Sequence, residues 1–448
     1  MSQPPRNLLQ ALQQLDFDEA IGPSDPRFVN TDQARGATDL RMRLLNKFGL
    51  SMVSGDFFPN LCRHVLLFGL IGCGKSTELM RLKEQLLAQG TPISGKLFPI
   101  LLNVRGEVDI NNLEYADLFL ALAHAVVQEL ETRSIQLPEA RIAALRSWFT
   151  EHVLTHEQIR ELATQLGTEA EAGGGWPLFV KLTAKFSAVF KNSSSYKDTM
   201  RDVVKKTFTQ FALAFNELIR AAETAIAERG LGQRLLLIVD GTDKIPLKQA
   251  QSLFIDDAEQ LLSVQALVLY TAPITLKYSG TTQSKLNSEL VLPIIKLESR
   301  DGTRFAPGWQ AMHELLDRRI DPLAFATPDL RDRLIATSGG HPRELLRLLA
   351  LACESAESST IDVTTVDRAI ELLAAEYRYW LAPEDYTLLA QVDAAGGQHA
   401  GNDERTRNLL WRLALLHYND GSWRRSHPVV RRLEGYTRAQ QALNTPQP

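Results

Sequence analysis

The chain has 448 residues, with 49 Lys and Arg against 53 Asp and Glu and a formal net charge of −4. At about 150 residues per domain this length predicts roughly three domains, and 44% hydrophobic with 23% charged residues excludes a disordered or fibrous chain. The near-neutral balance excludes a protein held to nucleic acid or membrane by its overall charge, so any such contact has to come from a local patch.

The three cysteines, Cys62, Cys73 and Cys353, form no CxxC pair and no metal-ligand spacing, which fits a reducing compartment. Residues 1–30 carry acids and prolines rather than an apolar signal core. No apolar run approaches the ~20 residues of a membrane helix. A cytoplasmic protein with no membrane partner is expected.

In chain order, a short helix is predicted over Asn7–Gln14, followed by an extended segment with Pro23 and Pro26. His64–Phe68 is an apolar run of the kind buried on both faces of a parallel sheet. A helix follows over Lys75–Ala88, then a strand over Phe98–Val104 and a helix over Leu113–Glu131. Further strands are predicted at Leu235–Val239, Ala266–Tyr270 and Val291–Leu297. Strands alternating with helices predict a parallel α/β sheet. Two βα units need only about 60 residues, so the long interval between Lys75 and Asp240 leaves roughly 100 residues over. The region 135–230 reads as a helical insertion, with Glu139–Val153, His156–Leu166 and a long pattern from Tyr196 to Arg229 around Gly173-Gly174-Gly175.

After residue 300 helices dominate, at about 329–337, 342–356 and 364–379. Thr327-Pro328-Asp329 predicts a helix start with Thr327 as N-cap. The last segment predicts helices Glu384–Ala394 and Asp403–Leu415, then a hairpin turning at Asn419-Asp420-Gly421, the order of a winged helix. The division read from these patterns is an N-terminal extension 1–36, an α/β domain 37–300, a helical lid 301–380, a winged helix 381–440 and a tail 441–448.

Gly69-Leu70-Ile71-Gly72-Cys73-Gly74-Lys75-Ser76 matches G-x-x-x-x-G-K-[ST] at every position, between an apolar strand and a helix. Glycines let successive backbone N–H groups turn inward around phosphates, Lys75 reaches the β/γ-phosphates, and Ser76 ligates Mg²⁺. Thr77 either helps with the α-phosphate or caps the helix. Cys73 reads as loop filler. The strand Leu235–Val239 ends in Asp240 at the sheet edge where ligands sit, which suits the acid that holds Mg²⁺ through water. Asp243 is open to two readings: a carboxylate polarising the attacking water, or a helix N-cap.

The phosphate loop, Asp240-Gly241-Thr242-Asp243-Lys244 and Ser338-Gly339-Gly340-His341-Pro342-Arg343 together resemble the bacterial AAA+/STAND-type P-loop ATPases. The second of these runs is similar to their NACHT-like DGLDE form. The resemblance implies ATP and Mg²⁺ as ligands, Asp240 as metal residue and Asp243 as second acid. It implies Thr271 as a sensor of the γ-phosphate, Pro342 packed on adenine and Arg343 as a second sensor. Lys244 stands where the family has Glu, which implies slow hydrolysis. The expected function is an ATP-hydrolysing switch that controls self-assembly or a separate effector protein, in signalling or anti-phage defence. Two alternatives stay open: a DNA-remodelling ATPase of the origin-recognition or transposition-regulator kind, and a nucleotide-binding adaptor without turnover.

Residues 404–438 hold eight arginines (Arg405, Arg407, Arg412, Arg424, Arg425, Arg431, Arg432, Arg438) against three carboxylates. With Trp411 and Trp423 interleaved, they suit either duplex DNA or packing within the chain or on a partner. His427 resembles a histidine that touches the nucleotide in some STAND proteins. Trp176–Lys191 reads as a core face with a solvated rim, with protein docking or a membrane surface as the other reading. Arg318 and Arg319 read as a solvated helix face, the alternative being an arginine that completes a neighbour's site. Arg35 reads as a surface residue, the alternative being a base- or ribose-facing one.

Overall fold

The computed structural model describes residues 4–36, 39–152, 175–192, 194–279, 286, 288–397 and 401–445. Five apolar runs pair side by side: β1 (Arg63–Gly69), β2 (Leu97–Asn103), β3 (Arg234–Asp240), β4 (Leu267–Pro273) and β5 (Ser288–Val291). All pair in parallel, in the order β2-β3-β4-β1-β5. Leu235 to Val239 are fully buried, which is why the strands are continuous apolar runs rather than alternating ones. The register sets Gly69 beside Pro273 and Asn103 beside Asp240. The chain therefore leaves β1, β3 and β4 at one edge of the sheet, the edge where open α/β sheets hold ligands.

Strand β5 is displaced from the expected Val291–Leu297. Pro293 has no N–H for the ladder, and beyond Val291 the chain turns off to bond other elements. Leu292 N donates to Phe68 O at 2.8 Å, Ile295 N to Gly340 O at 3.2 Å and Lys296 N to Ala34 O at 2.9 Å. This segment thus ties the N-terminal residues and the lid to the sheet.

The expected insertion is helical: Glu139–His152, Gly175–Asn192, Ser194–Lys206 and Phe208–Glu228 gather beside Tyr115–Thr132. The long 196–229 pattern breaks at Thr207, whose hydroxyl donates to Val203 O at 2.8 Å and accepts from Trp148 Nε1 at 3.0 Å. Trp176, Leu178, Phe179 and Leu182 are buried, so this part of the face, 176–182, is core rather than a docking or membrane surface. Arg201 and Asp117 form a buried pair at 2.6 Å inside this layer. The expected helix His156–Leu166 and the glycines 173 and 174 lie outside the described residues. Among those described, no helix is long and apolar enough to cross a membrane.

The lid helices are Asp329–Ser338, Pro342–Ser355 and Val363–Arg378. The first is capped at Pro328 with no side-chain cap bond, one residue later than expected. Next come Pro383–Ala394, Glu404–Trp411, the antiparallel strands β6 (Leu415–Tyr418) and β7 (Trp423–Ser426), and Glu434–Asn444. Asp403 caps its helix by accepting from Thr406 N at 2.7 Å. That helix stops at Trp411, short of the expected Leu415, because Leu413 turns left-handed (φ 62°) before β6 begins. The fold class is the one expected: an α/β P-loop sheet with a helical insertion, then a helical lid and a winged-helix order of elements.

Candidate functional site

The loop after β1 turns on its glycines. Gly72 and Gly74 sit at φ 83° and 100°, a region that L side chains avoid. Gly74 also caps the helix Lys75–Leu87 without a side-chain bond, leaving the first-turn amides for an anion. Cys73 is buried behind the loop near Leu292 O, as filler. Leu70 is fully buried, while Ile71, Ser76 and Thr77 are part-exposed.

Lys75 is buried. Its Nζ donates to Gly69 O and Leu70 O, both at 2.9 Å, and pairs with Asp243 at 2.8 Å. Burial alone would lower the lysine pKa, but the nearby carboxylate outweighs it and the net shift is upward. Asp243 thus faces the loop lysine rather than capping a helix. Asp240, at the end of β3, hydrogen-bonds Ser76 and accepts from Gly241 N at 2.8 Å. Burial, partly offset by Ser76, raises its pKa, and Asp243 adds to the rise. A buried acid destabilised in this way, touching a hydroxyl, suits a hard divalent cation. A hydroxyl and one carboxylate in contact form a donor pair that fits Mg²⁺, which takes one or two protein ligands and completes its shell with phosphate and water.

Thr271, two residues before the end of β4, is fully buried. Its hydroxyl accepts from Asp243 N at 3.3 Å and lies 3.2 Å from that of Thr242. It therefore holds the acidic turn. Pro342 and Arg343 open the lid helix Pro342–Ser355 and line the same cavity as residues 72–78. Arg343 lies flat on the loop: a Cβ added to Gly72 would stand 2.7 Å from its Cβ and Nε.

Several residues at the site carry no sequence signal. Leu15–Ile21 and Arg27–Val29 of the N-terminal segment form a cavity wall. Leu15, Ile21, Phe28, Val29, Leu315, Pro342 and Leu346 give that wall an apolar surface suited to a flat base. Arg35 corrects its surface reading, being only 6% exposed. It donates to Thr31 Oγ1 at 3.0 Å, to Cys73 O of the loop at 2.9 Å and to Pro293 O. Arg319 corrects its reading as well. It is buried against Leu315 O and Arg27 O, and burial together with nearby Arg27 pushes its pKa down to about 10. Arg318 bonds Pro26 O at 2.9 Å. Both arginines clamp the N-terminal segment of their own chain.

His427 does not line the cavity. It is fully buried, 3.7 Å from the Glu344 carboxylate and stacked on Tyr377 at 5.1 Å. Burial, with Arg431 and Arg347 nearby, pushes its pKa down to about 3, so it stays neutral. The arginines of 404–438 are largely engaged at home. Arg405 pairs with Asp385, Arg425 with Glu298, Arg431 with Asp393 and Arg438 with Glu434. Arg412 lies over Trp380, and Arg424 is buried over Tyr278. Trp423 stacks on Tyr418, whose hydroxyl donates to Gly339 O at 2.7 Å.

No family model matches the chain, and no curated protein matches it. Among solved structures it is similar to the ORC2 protein of Aeropyrum pernix, in ADPNP-ADP complexes, at 13% identity over 95% of this chain and 97% of that one, with TM-score 0.35. It is also similar to a Walker-type ATPase of Pyrococcus abyssi, at 13% identity over 92% and 98% of the two chains, with TM-score 0.39. A third is CDC6P of Pyrobaculum aerophilum, at 10% identity over 96% and 98%, with TM-score 0.37. Likenesses this remote leave the functional reading to the site geometry.

Proposed function

We propose that the protein is an ATP-binding and slowly hydrolysing switch of the AAA+/STAND kind. In this reading the lid, about residues 301–380, and the winged helix, about 381–440, report the nucleotide state of the α/β domain. The observation that carries it is the joining of four groups at one cavity: the glycine loop with Lys75, Ser76 with Asp240 bonded behind it, Asp243 on the lysine, and Arg343 laid on Gly72 from the lid. Lys75 would swing from the loop carbonyls to the phosphates, and Ser76 and Asp240 would hold Mg²⁺, which supplies charge neutralisation to the phosphate oxygens. Asp243, released from Lys75, would orient the attacking water. Because Arg343 belongs to the lid, a nucleotide that engages it stabilises one lid orientation over another, and that difference in contacts moves the equilibrium.

The expected output is self-assembly or control of a separate effector, in signalling or defence. The DNA-remodelling alternative draws on the same arginines, of which several pair with carboxylates of this chain while Arg405, Arg412, Arg432 and Arg438 stay exposed. The adaptor alternative rests on Lys244. The primary test is nucleotide binding by Lys75→Ala with Mg²⁺ present. Loss of ATP affinity is expected, and unchanged affinity sinks the site. Phosphate release by wild type separates switch from adaptor, and duplex anisotropy over a salt series tests the DNA reading by its slope.

A further inference from the structure

Three cations from three separate elements converge on one carboxylate at this site. Arg343 opens the lid helix, Lys244 closes the turn after β3, and Arg105 follows β2. The carboxylate is that of Asp18, in the N-terminal segment. Arg343 Nη2 stands 2.7 Å from Oδ1, Lys244 Nζ 3.8 Å from Oδ1 and Arg105 Nη2 3.5 Å from Oδ2. Arg343 also donates to Phe17 O at 3.3 Å, while its buried Nε has no hydrogen-bond partner. Asp18, Lys244 and Arg343 line the same cavity as the loop residues 72–77.

Charge and space both mark Asp18 as a place-holder. Asp243 also faces Lys244 but is itself paired with Lys75, so Asp18 leaves the three cations with a surplus of positive charge, whereas a terminal phosphate brings about two negative charges and three acceptor oxygens. The free volume of the cavity is about 130 Å³, below the roughly 300–1,000 Å³ of ordinary ligand pockets. Leu15 and Ile21, on either side of Asp18, line the same cavity, so displacing the acid also opens the wall.

Building on the nucleotide reading above, we propose that Arg343, Lys244 and Arg105 form the subsite for the terminal phosphate of a nucleoside triphosphate, and that Asp18 is its built-in competitor. The triphosphate displaces Asp18, frees the N-terminal segment and transfers Arg343 from an internal acid to the ligand. The diphosphate lacks the group that competes and leaves Asp18 in place. Lys244 then serves the bound triphosphate as a ligand at a position where the resembled family has an acid.

The test is calorimetric titration of the full chain with a non-hydrolysable ATP analogue and with ADP, each with Mg²⁺. Asp18→Asn should tighten the analogue about three- to tenfold, on the scale of a few part-exposed charge pairs, and move ADP by less than about twofold. Arg105→Ala and Lys244→Ala should weaken the analogue by a similar factor and spare ADP. Equal shifts for both nucleotides, or no shift in any of the three variants, overturn the proposal. Lys75→Ala run alongside keeps the two ideas apart. If it abolishes binding of both nucleotides while the analogue-to-ADP ratio stays fixed in the other variants, only this proposal falls. If it changes nothing, the nucleotide reading falls.

Discussion

Replacing Arg35 with methionine should damage the phosphate loop from behind. The guanidinium holds three acceptors: Thr31 Oγ1 at 3.0 Å, Cys73 O at 2.9 Å and Pro293 O. The threonine hydroxyl can turn to another partner, but the two buried carbonyls cannot. Each stranded carbonyl costs about 1–3 kcal/mol, and methionine recovers part of this by filling the space with apolar atoms. A net loss of about 2–4 kcal/mol follows. At roughly 2–4 °C per kcal/mol for a unit of this size, the melting temperature should fall by about 4–16 °C. The same change frees the Cys73 carbonyl, so the loop loses a fixed point beneath the phosphate site. ATP and ADP affinities should fall together, since both use the loop. Scanning fluorimetry with and without nucleotide reads both effects. A melting shift under 1 °C with intact affinity would refute the claim that Arg35 braces the loop.

Arg201→Ala leaves the buried Asp117 carboxylate without its partner, and a loss of about 3–5 kcal/mol is expected by denaturant titration. Gly340→Ala should misplace the lid, because the glycine has φ 80° and an added Cβ would stand 2.0 Å from Ile295 O; limited proteolysis of the lid should accelerate, and an unchanged digestion pattern would contradict this. Asp243→Asn should lower turnover while sparing affinity, and equal turnover would leave Asp243 a structural partner of Lys75. Acid should loosen the C-terminal module. His417 and His427 are fully buried and pushed from 6.5 to about 3, by burial first and by nearby arginines. A histidine depressed in the fold takes up its proton more readily when unfolded, so stability is complete above about 6.5 and declines as pH falls toward 3. Each contributes a loss on the order of 2 kcal/mol by pH 5. Tryptophan fluorescence followed through an acid titration should show a flatter decline in His417→Leu than in wild type.

The phosphate loop, β1 to β4 and most helix starts were legible because each depends on neighbours within a few residues. Glycines at Gly72 and Gly74 permit the turn, apolar runs demand two-sided burial, and Asp403 caps the helix it precedes. The place of Asp240 was equally legible, as a carboxylate ending such a run. The surroundings of that loop were not. Arg35 reaches Pro293, Arg318 reaches Pro26, and Asp18 reaches Arg343, partners with no shared period or spacing in the chain. Charged side chains read from sequence default to solvent, and only packing reveals where carbonyls and opposite charges make burial affordable. The arginine-rich end, open in sequence between a duplex and packing at home, divides in the structure: Arg424 is buried, Arg425 and Arg431 pair with Glu298 and Asp393, and Arg405, Arg412, Arg432 and Arg438 stay exposed. The chain's local patterns thus specified the shape of the loop, whereas the tertiary structure decided which distant charges close over it.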